Sequence, residues 1–201
     1  MNTVLLDPPV KTRKGTIPPI RWTVEEFHRI NSAETWGKDR RLMLIDGLIL
    51  EREPMNPRHA VGVSKVSSAL AKVFLSDWYI REQQPMVFGL NTDPVPDLAV
   101  VVGAMDDYLE RHPGMAALVV EVANTSLDFD LTEKAELYAT ANIPEYWVLD
   151  LNASTLVVLR DPVPVPDNGN AYRSITTLNV GDHIQPLAKP EATIAIADLM
   201  P

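Results

Sequence analysis

The chain has 201 residues, 46% of them hydrophobic, with a formal net charge of -9 and a pI near 4.9. That length suits one domain with a full-sized core, while the charge has the wrong sign for gripping nucleic acid over the whole surface; such a contact needs a local basic groove, a metal ion or a partner. No cysteine is present, which excludes disulfides, thiolate catalysis and Cys-ligated zinc and agrees with a cytoplasmic location.

Residues 1–20 hold Pro8, Pro9, Pro18 and Pro19 with the basic residues Lys11, Arg13 and Lys14, which reads as an extended N-terminal arm before a domain over 21–201. The start lacks the basic and apolar regions of a signal peptide, and no apolar run approaches the roughly 18 residues that span a bilayer, so no membrane association is expected. Thr23-Val24-Glu25-Glu26 is a capping box, predicting a helix from about Val24 to Asn31. Asp46-Gly47 between Leu42–Ile45 and Leu48–Glu51 predicts a hairpin, because both turn residues need positive φ. Val63, Val66, Leu70, Val73 and Phe74 recur at helical spacing, predicting a helix from about Pro57 to Trp78.

Val87–Asn91 and Val95–Val102 read as strands, Asp106–Arg111 as a helical turn, and Ala117–Ala123 as a buried strand. Asp130-Leu131-Thr132-Glu133 reads as the cap of a helix that runs to Asn142, stopped by Pro144. Tyr146–Leu151 and Thr155–Arg160 make a hairpin, Asp161–Asn170 a proline-rich loop, and Tyr172–Leu178 and Thr193–Ile196 late strands. The order predicts an α/β fold, an α+β sandwich in which helices flank a mixed sheet.

Charge inside apolar runs carries the chemistry. Glu121 lies within Leu118-Val119-Val120-Glu121-Val122, where an ionised carboxylate costs several kcal/mol unless paired or metal-bound. A salt bridge to Lys134 or an arginine is one reading. Asp97 follows Pro96 at a strand start, alone an ordinary turn signal. Together, two carboxylates at neighbouring strand ends suit Mg²⁺ or Mn²⁺ rather than zinc. The residue two beyond Glu121, on the same strand face, is Ala123. Lys134, early on the following helix, could reach the space this alanine leaves; otherwise it is an exposed helix lysine. A salt-bridge network in an oligomer-forming domain also accounts for all three residues, and free sheet edges make a homodimer plausible.

Pro96-Asp97, Glu121 through Asp130, Glu133-Lys134-Ala135-Glu136-Leu137-Tyr138-Ala139 and Ile143 through Leu151, with Leu44-Ile45-Asp46-Gly47, Pro57-Arg58-His59 and Gly181-Asp182, closely resemble the Uma-two family, restriction endonucleases by designation, of the PD-(D/E)XK nuclease superfamily. The resemblance covers nearly all of the chain beyond the arm. It implies a restriction-endonuclease-like fold and hydrolysis of a DNA phosphodiester by a metal-activated water. Asp97 and Glu121 would hold Mg²⁺ (or Mn²⁺), Lys134 would replace the lysine of the usual Glu-x-Lys motif, and His59 would touch a phosphate or the metal's water shell. A helix-terminal surface histidine accounts for His59 equally well. The family commonly carries a glutamate two residues before Ile45; this chain has Met43, a poor ligand for a hard cation. Met43 and the acidic surface favour the alternative of a catalytically impaired binding or regulatory module. His28, His112 and His183 are expected to be structural or exposed, and Tyr138, Tyr146 and Trp147 to pack the core.

Overall fold

A computed structural model describes residues 10–12, 15–17, 19–33, 40–52, 54–166 and 169–201. Within the stretch read as an arm, β1 (Val10–Thr12) and β2 (Gly15–Ile17) pair antiparallel; Pro8, Pro9, Arg13, Lys14 and Pro18 lie outside the described residues, as does Glu53. Helix α1 (Val24–Ser32) starts at the predicted capping box, with both reciprocal bonds between Thr23 and Glu26 in place. The hairpin of β3 (Leu42–Ile45) and β4 (Leu48–Glu51) turns at Asp46 and Gly47, with φ of 48° and 77°. A Cβ at Gly47 would lie 2.6 Å from the Arg21 Cβ, so this turn needs glycine for space as well as conformation.

A six-stranded mixed sheet forms the centre. Its strands are β5 (Trp78–Glu82), β6 (Leu98–Val102), β7 (Leu118–Ala123), β8 (Glu145–Asp150), β9 (Thr155–Val165) and β10 (Gly169–Asn179), in the spatial order β10-β9-β8-β7-β6-β5. Only β7 and β8 run parallel, and α3 (Leu127–Leu131) with α4 (Glu133–Thr140) makes the crossover that parallel neighbours require. β11 (His183–Ile184), β12 (Ile194–Ala195) and α5 (Ile196–Leu199) close the chain.

Alternation along the strands builds a core on each face. Leu118, Val120 and Val122 of β7 join Trp147 and Leu149 of β8 beneath α2 (Pro57–Ala71) and α5. Val119 and Ala123 join Tyr146, Val148, Ala135, Tyr138 and Ala139 beneath α4 on the other face. Glu121 shares the parity of Val119 and Ala123, so it points into the second core. Trp147, Tyr138 and Tyr146 are fully buried, as expected.

Several boundaries differ from those the sequence predicts. Helix α2 stops at Ala71, and Trp78 opens the edge strand β5. Val73 and Phe74 leave the helix through a turn bonded to Leu70 yet still pack on the core, and Phe74 meets Trp78 edge-on at 5.3 Å; hence their spacing imitates a longer helix. Val87–Asn91 is a tight turn, closed by the Phe88–Thr92 bridge around Gly89 at φ 66°, with Leu90 82% exposed. β6 begins at Leu98, after Val95-Pro96-Asp97. Asp130 lies within the short helix α3 and does not cap α4.

The proline-rich segment is no loop: β9 runs through Pro162 and Pro164 to Val165, paired with β10. β8 leaves β9 at Arg160, so beyond it one edge of β9 has no strand partner among the described residues. Pro162 and Pro164, two apart, send their missing donors to the same edge and are tolerated there.

Candidate active site

Asp97 lies one step beyond the Leu98–Val120 pair, directly across from Glu121. Like charges in opposing cross-strand positions destabilise a sheet. Both side chains are nonetheless buried, at 4% and 2% exposure, so their compensation has to come from the elements packed around them.

For Asp97 it comes mainly from the neighbouring backbone and α2. Oδ2 accepts from the Val122 amide at 2.9 Å and lies 3.0 Å from His59 Nε2. Oδ1 accepts from Gln83 Nε2 at 3.2 Å, with Arg52 Nη2 at 3.8 Å. His59 is held in place because Asn56 caps α2 and accepts from the His59 amide, with Pro57 opening the helix. Gly62 brings that helix close: a Cβ there would come within 2.9 Å of Val122 Cγ1. Burial raises the Asp97 pKa, but the His59 hydrogen bond and charge, the Val122 amide and Lys134 outweigh it and hold the group below its ordinary value.

For Glu121 the compensation comes from the crossover. Oε2 lies 2.9 Å from Lys134 Nζ and 3.3 Å from the Asp97 amide, and Oε1 accepts from the Tyr138 hydroxyl at 2.8 Å. Lys134 Nζ also contacts Asp130 Oδ1 at 2.9 Å, one helical turn back, while Ser126 Oγ donates to Asp130 Oδ2. Burial pushes the Glu121 pKa up to about 7, opposed by Lys134 and reinforced by Asp97 and Asp130. Burial acts against a charged Lys134, but the two carboxylates outweigh it and raise its pKa above the ordinary value. Lys134 is therefore a fixed cation at neutral pH.

The structure thus brings Asp97, Glu121, Lys134 and His59 together. Met43 is buried on β3 opposite Leu50. Glu51 pairs with Leu42, on the other hairpin face, and is exposed beside Arg40, so it does not replace the missing glutamate. Asp130, Tyr138, Gln83 and Arg52 also belong to the site. Of these, Asp130 and Tyr138 left a trace in the sequence, each four residues from Lys134. The other histidines do not join it: His28 bonds Asp93 at 2.6 Å, His112 lies 3.1 Å from Arg81, and His183 is exposed.

The donor set is oxygen only. Among the described residues no three His, Cys, Asp or Glu side chains converge at metal-ligand spacing. Two carboxylates match what Mg²⁺ takes from protein, with water and phosphate oxygens filling the remaining positions. Among the described residues Glu121 Oε1 has a single donor, Tyr138, which leaves a lone pair for a cation. The residues fit a hard divalent ion and do not fit zinc.

The fold is a mixed sheet flanked by helices, with opposed carboxylates and a lysine at the β6–β7 pair. It matches a solved structure described as a "putative nuclease belonging to DUF820" from Anabaena variabilis, with a TM-score of 0.70 and 16% identity over 90% of this chain and 97% of that one. The chain belongs to the Uma2 family, described as "Putative restriction endonuclease", whose model matches residues 24–197. No curated protein matches it.

Proposed function

We propose that the protein is a metal-dependent endonuclease that hydrolyses phosphodiester bonds of DNA, with Asp97 and Glu121 as ligands of Mg²⁺ or Mn²⁺. The observation that carries this reading is the opposition of two buried carboxylates across one strand pair, with the Lys134 ammonium 2.9 Å from Glu121. When bound, the cation supplies a Lewis acid and an acidified water. Lys134, kept protonated by Glu121 and Asp130, donates hydrogen bonds to the charge that develops on phosphate and does not serve as the base. Tyr138 fixes Oε1 of Glu121, and His59 and the Val122 amide fix Oδ2 of Asp97; the two carboxylates would hold the ion.

Plasmid DNA incubated with Mg²⁺ or Mn²⁺ tests this. Cleavage is expected from the parent protein, with loss in EDTA and in Asp97→Ala and Lys134→Ala. Cleavage unchanged by both substitutions would come from a contaminant and would sink the reading. A second reading, a nuclease fold kept as a binding or regulatory module, is favoured by Met43; it predicts DNA binding without cleavage in either metal.

Two further expectations accompany the nuclease reading. One is a cytoplasmic setting, which suits a cysteine-free chain; among the described residues no helix is long and apolar enough to cross a membrane. The other is a homodimer formed through a sheet edge, for which β10 offers an edge with no strand partner among the described residues. Light scattering on the eluted protein tests the dimer.

A further inference from the structure

The face of the β3–β4 hairpin that carries Met43 and Leu50 ends in a second like-charge pair. Leu42 pairs with Glu51, and the Arg52 amide bonds the Arg41 carbonyl at 2.7 Å, so Arg41 and Arg52 stand directly opposite each other. They share the face of Met43, two residues from Arg41. Opposed like charges cost stability here as they do at Asp97 and Glu121. Burial lowers the Arg41 pKa and the Arg52 charge lowers it further.

Both arginines are part-buried, and neither holds a carboxylate at hydrogen-bond distance among the described residues. Arg52 Nη2 stops 3.8 Å short of Asp97 Oδ1. Arg41 Nη2 donates to the Gln83 amide oxygen at 3.3 Å, and Gln83 in turn donates to Asp97. Two guanidiniums therefore converge on one aspartate that His59 and a backbone amide already serve. A guanidinium has five donors in a rigid fork that matches phosphate oxygens, and among the described residues most of those donors have no partner.

Charge along the chain fits the same picture. The first 72 residues hold twelve of the 18 lysines and arginines but only eight of the 27 acids. The hairpin that carries Arg41 and Arg52 lies in this more basic part of an otherwise acidic sequence, and a net charge of -9 demands a local basic surface of any DNA-binding site.

We propose that Arg41 and Arg52 form a phosphate clamp, receiving a backbone phosphodiester of duplex DNA at the mouth of the Asp97–Glu121 site. The clamp rests on the nuclease reading for the identity of its ligand. It places positive charge on the hairpin face where the family's glutamate would have stood.

The test is anisotropy of a fluorescein-labelled DNA duplex in EDTA over a salt series, paired with plasmid cleavage in Mg²⁺. The proteins are the parent, Arg41→Ala, Arg52→Ala, Arg52→Lys and Arg173→Ala. Arg173 is exposed on β10 beside Asp161, so its loss controls for net charge alone. Each clamp alanine is expected to weaken binding at least fivefold and to lower the slope of log K against log salt by about 0.9, one phosphate's worth. Arg52→Lys should keep the slope and lose part of the affinity, and Arg173→Ala should match the parent. Separating one of two repelling guanidiniums should leave thermal stability unchanged or raised, so lost binding will not reflect unfolding.

Binding by Arg41→Ala and Arg52→Ala equal to that of Arg173→Ala overturns the clamp, as does a parent that shows no salt-dependent binding. Arg52-dependent binding without cleavage leaves the clamp standing and removes the nuclease reading. Asp97-dependent cleavage with binding unaffected in both arginine variants does the reverse.

Discussion

Two of the polar clusters that the molecule buries differ in how their charges are arranged. In the Asp97–Glu121 cluster two carboxylates face each other across β6 and β7, and Lys134 answers them from the crossover. In the second cluster Asp93, 1% exposed, meets His28 of α1, and its backbone bonds Leu44 in both directions. Arg81 there lies against the rings of Tyr79 and Tyr108 and donates to the Pro85 carbonyl. Each charge in the second cluster has a neutral or opposite neighbour that ties elements together: α1 and the β3–β4 hairpin are pinned to one loop. In the first, like charges are forced together at a cost that no packing need explains. Buried charge alone is thus a weak pointer to function; opposed like charge is a stronger one.

The widest separation between the clusters should come from removing one cation from each. Lys134→Met is expected to cut plasmid cleavage about 10²–10³-fold, the usual loss for a group that stabilises charge in the transition state. Arg81→Met should leave cleavage within about twofold while destabilising the protein by about 3 kcal/mol, the scale for breaking a buried charged contact. Equal loss of cleavage in both variants, measured at a temperature where each is folded, would erase the functional distinction.

Stability against pH separates them by sign. The folded-state pKa of Glu121 is pushed up to about 7 from 4.5, so the native state binds more protons than the unfolded chain between those values. Stability from this group is complete below pH 4.5 and is lost as pH rises through 7, by about 3 kcal/mol in EDTA. Glu121→Gln should remove that decline in urea unfolding at pH 5 and pH 8. His112 behaves in the opposite sense: burial lowers its pKa, with Arg81 and His28 adding to the effect against Asp93. Its contribution is present above about pH 6.5 and falls away on acidification, and His112→Gln should abolish that smaller change.

How the clusters were legible in the sequence follows from the same physics. A carboxylate inside a valine run is visible because β periodicity assigns it a face, so Glu121 declared itself, and Ala123 beside it announced a space to fill. The capping box at Thr23 and the turn at Asp46-Gly47 are equally local, and both elements formed where expected. Asp130 resembled a helix cap because capping and site roles use the same residue type a few positions apart. Gln83 and Arg52 gave no signal: they reach Asp97 through pairings of distant strands and a hairpin packed over the sheet, which no local window encodes. The proline-rich end of β9 was misread because proline forbids a ladder bond only on the edge that has a partner.

The smallest expected effect, and the one that bears most directly on the first cluster, belongs to position 43. Met43 is buried on the hairpin face that ends in Arg41 and Arg52. Met43→Glu adds a carboxylate to the hairpin face from which Arg52 reaches toward Asp97. If the site is built for a hard cation, the substitution should lower thermal stability in EDTA, because the new charge is buried without a full set of partners. Added Mn²⁺ should restore that stability and bind about tenfold more tightly than to the parent, a gain of about 1.4 kcal/mol read by calorimetry. A different result would be equally informative. Should the variant be more stable than the parent in EDTA, with Mn²⁺ affinity unchanged, the two arginines have captured the carboxylate. The hairpin face is then a surface that pairs with anions and not a wall of the cation site, and the contrast between the clusters rests on Asp97, Glu121 and Lys134 alone.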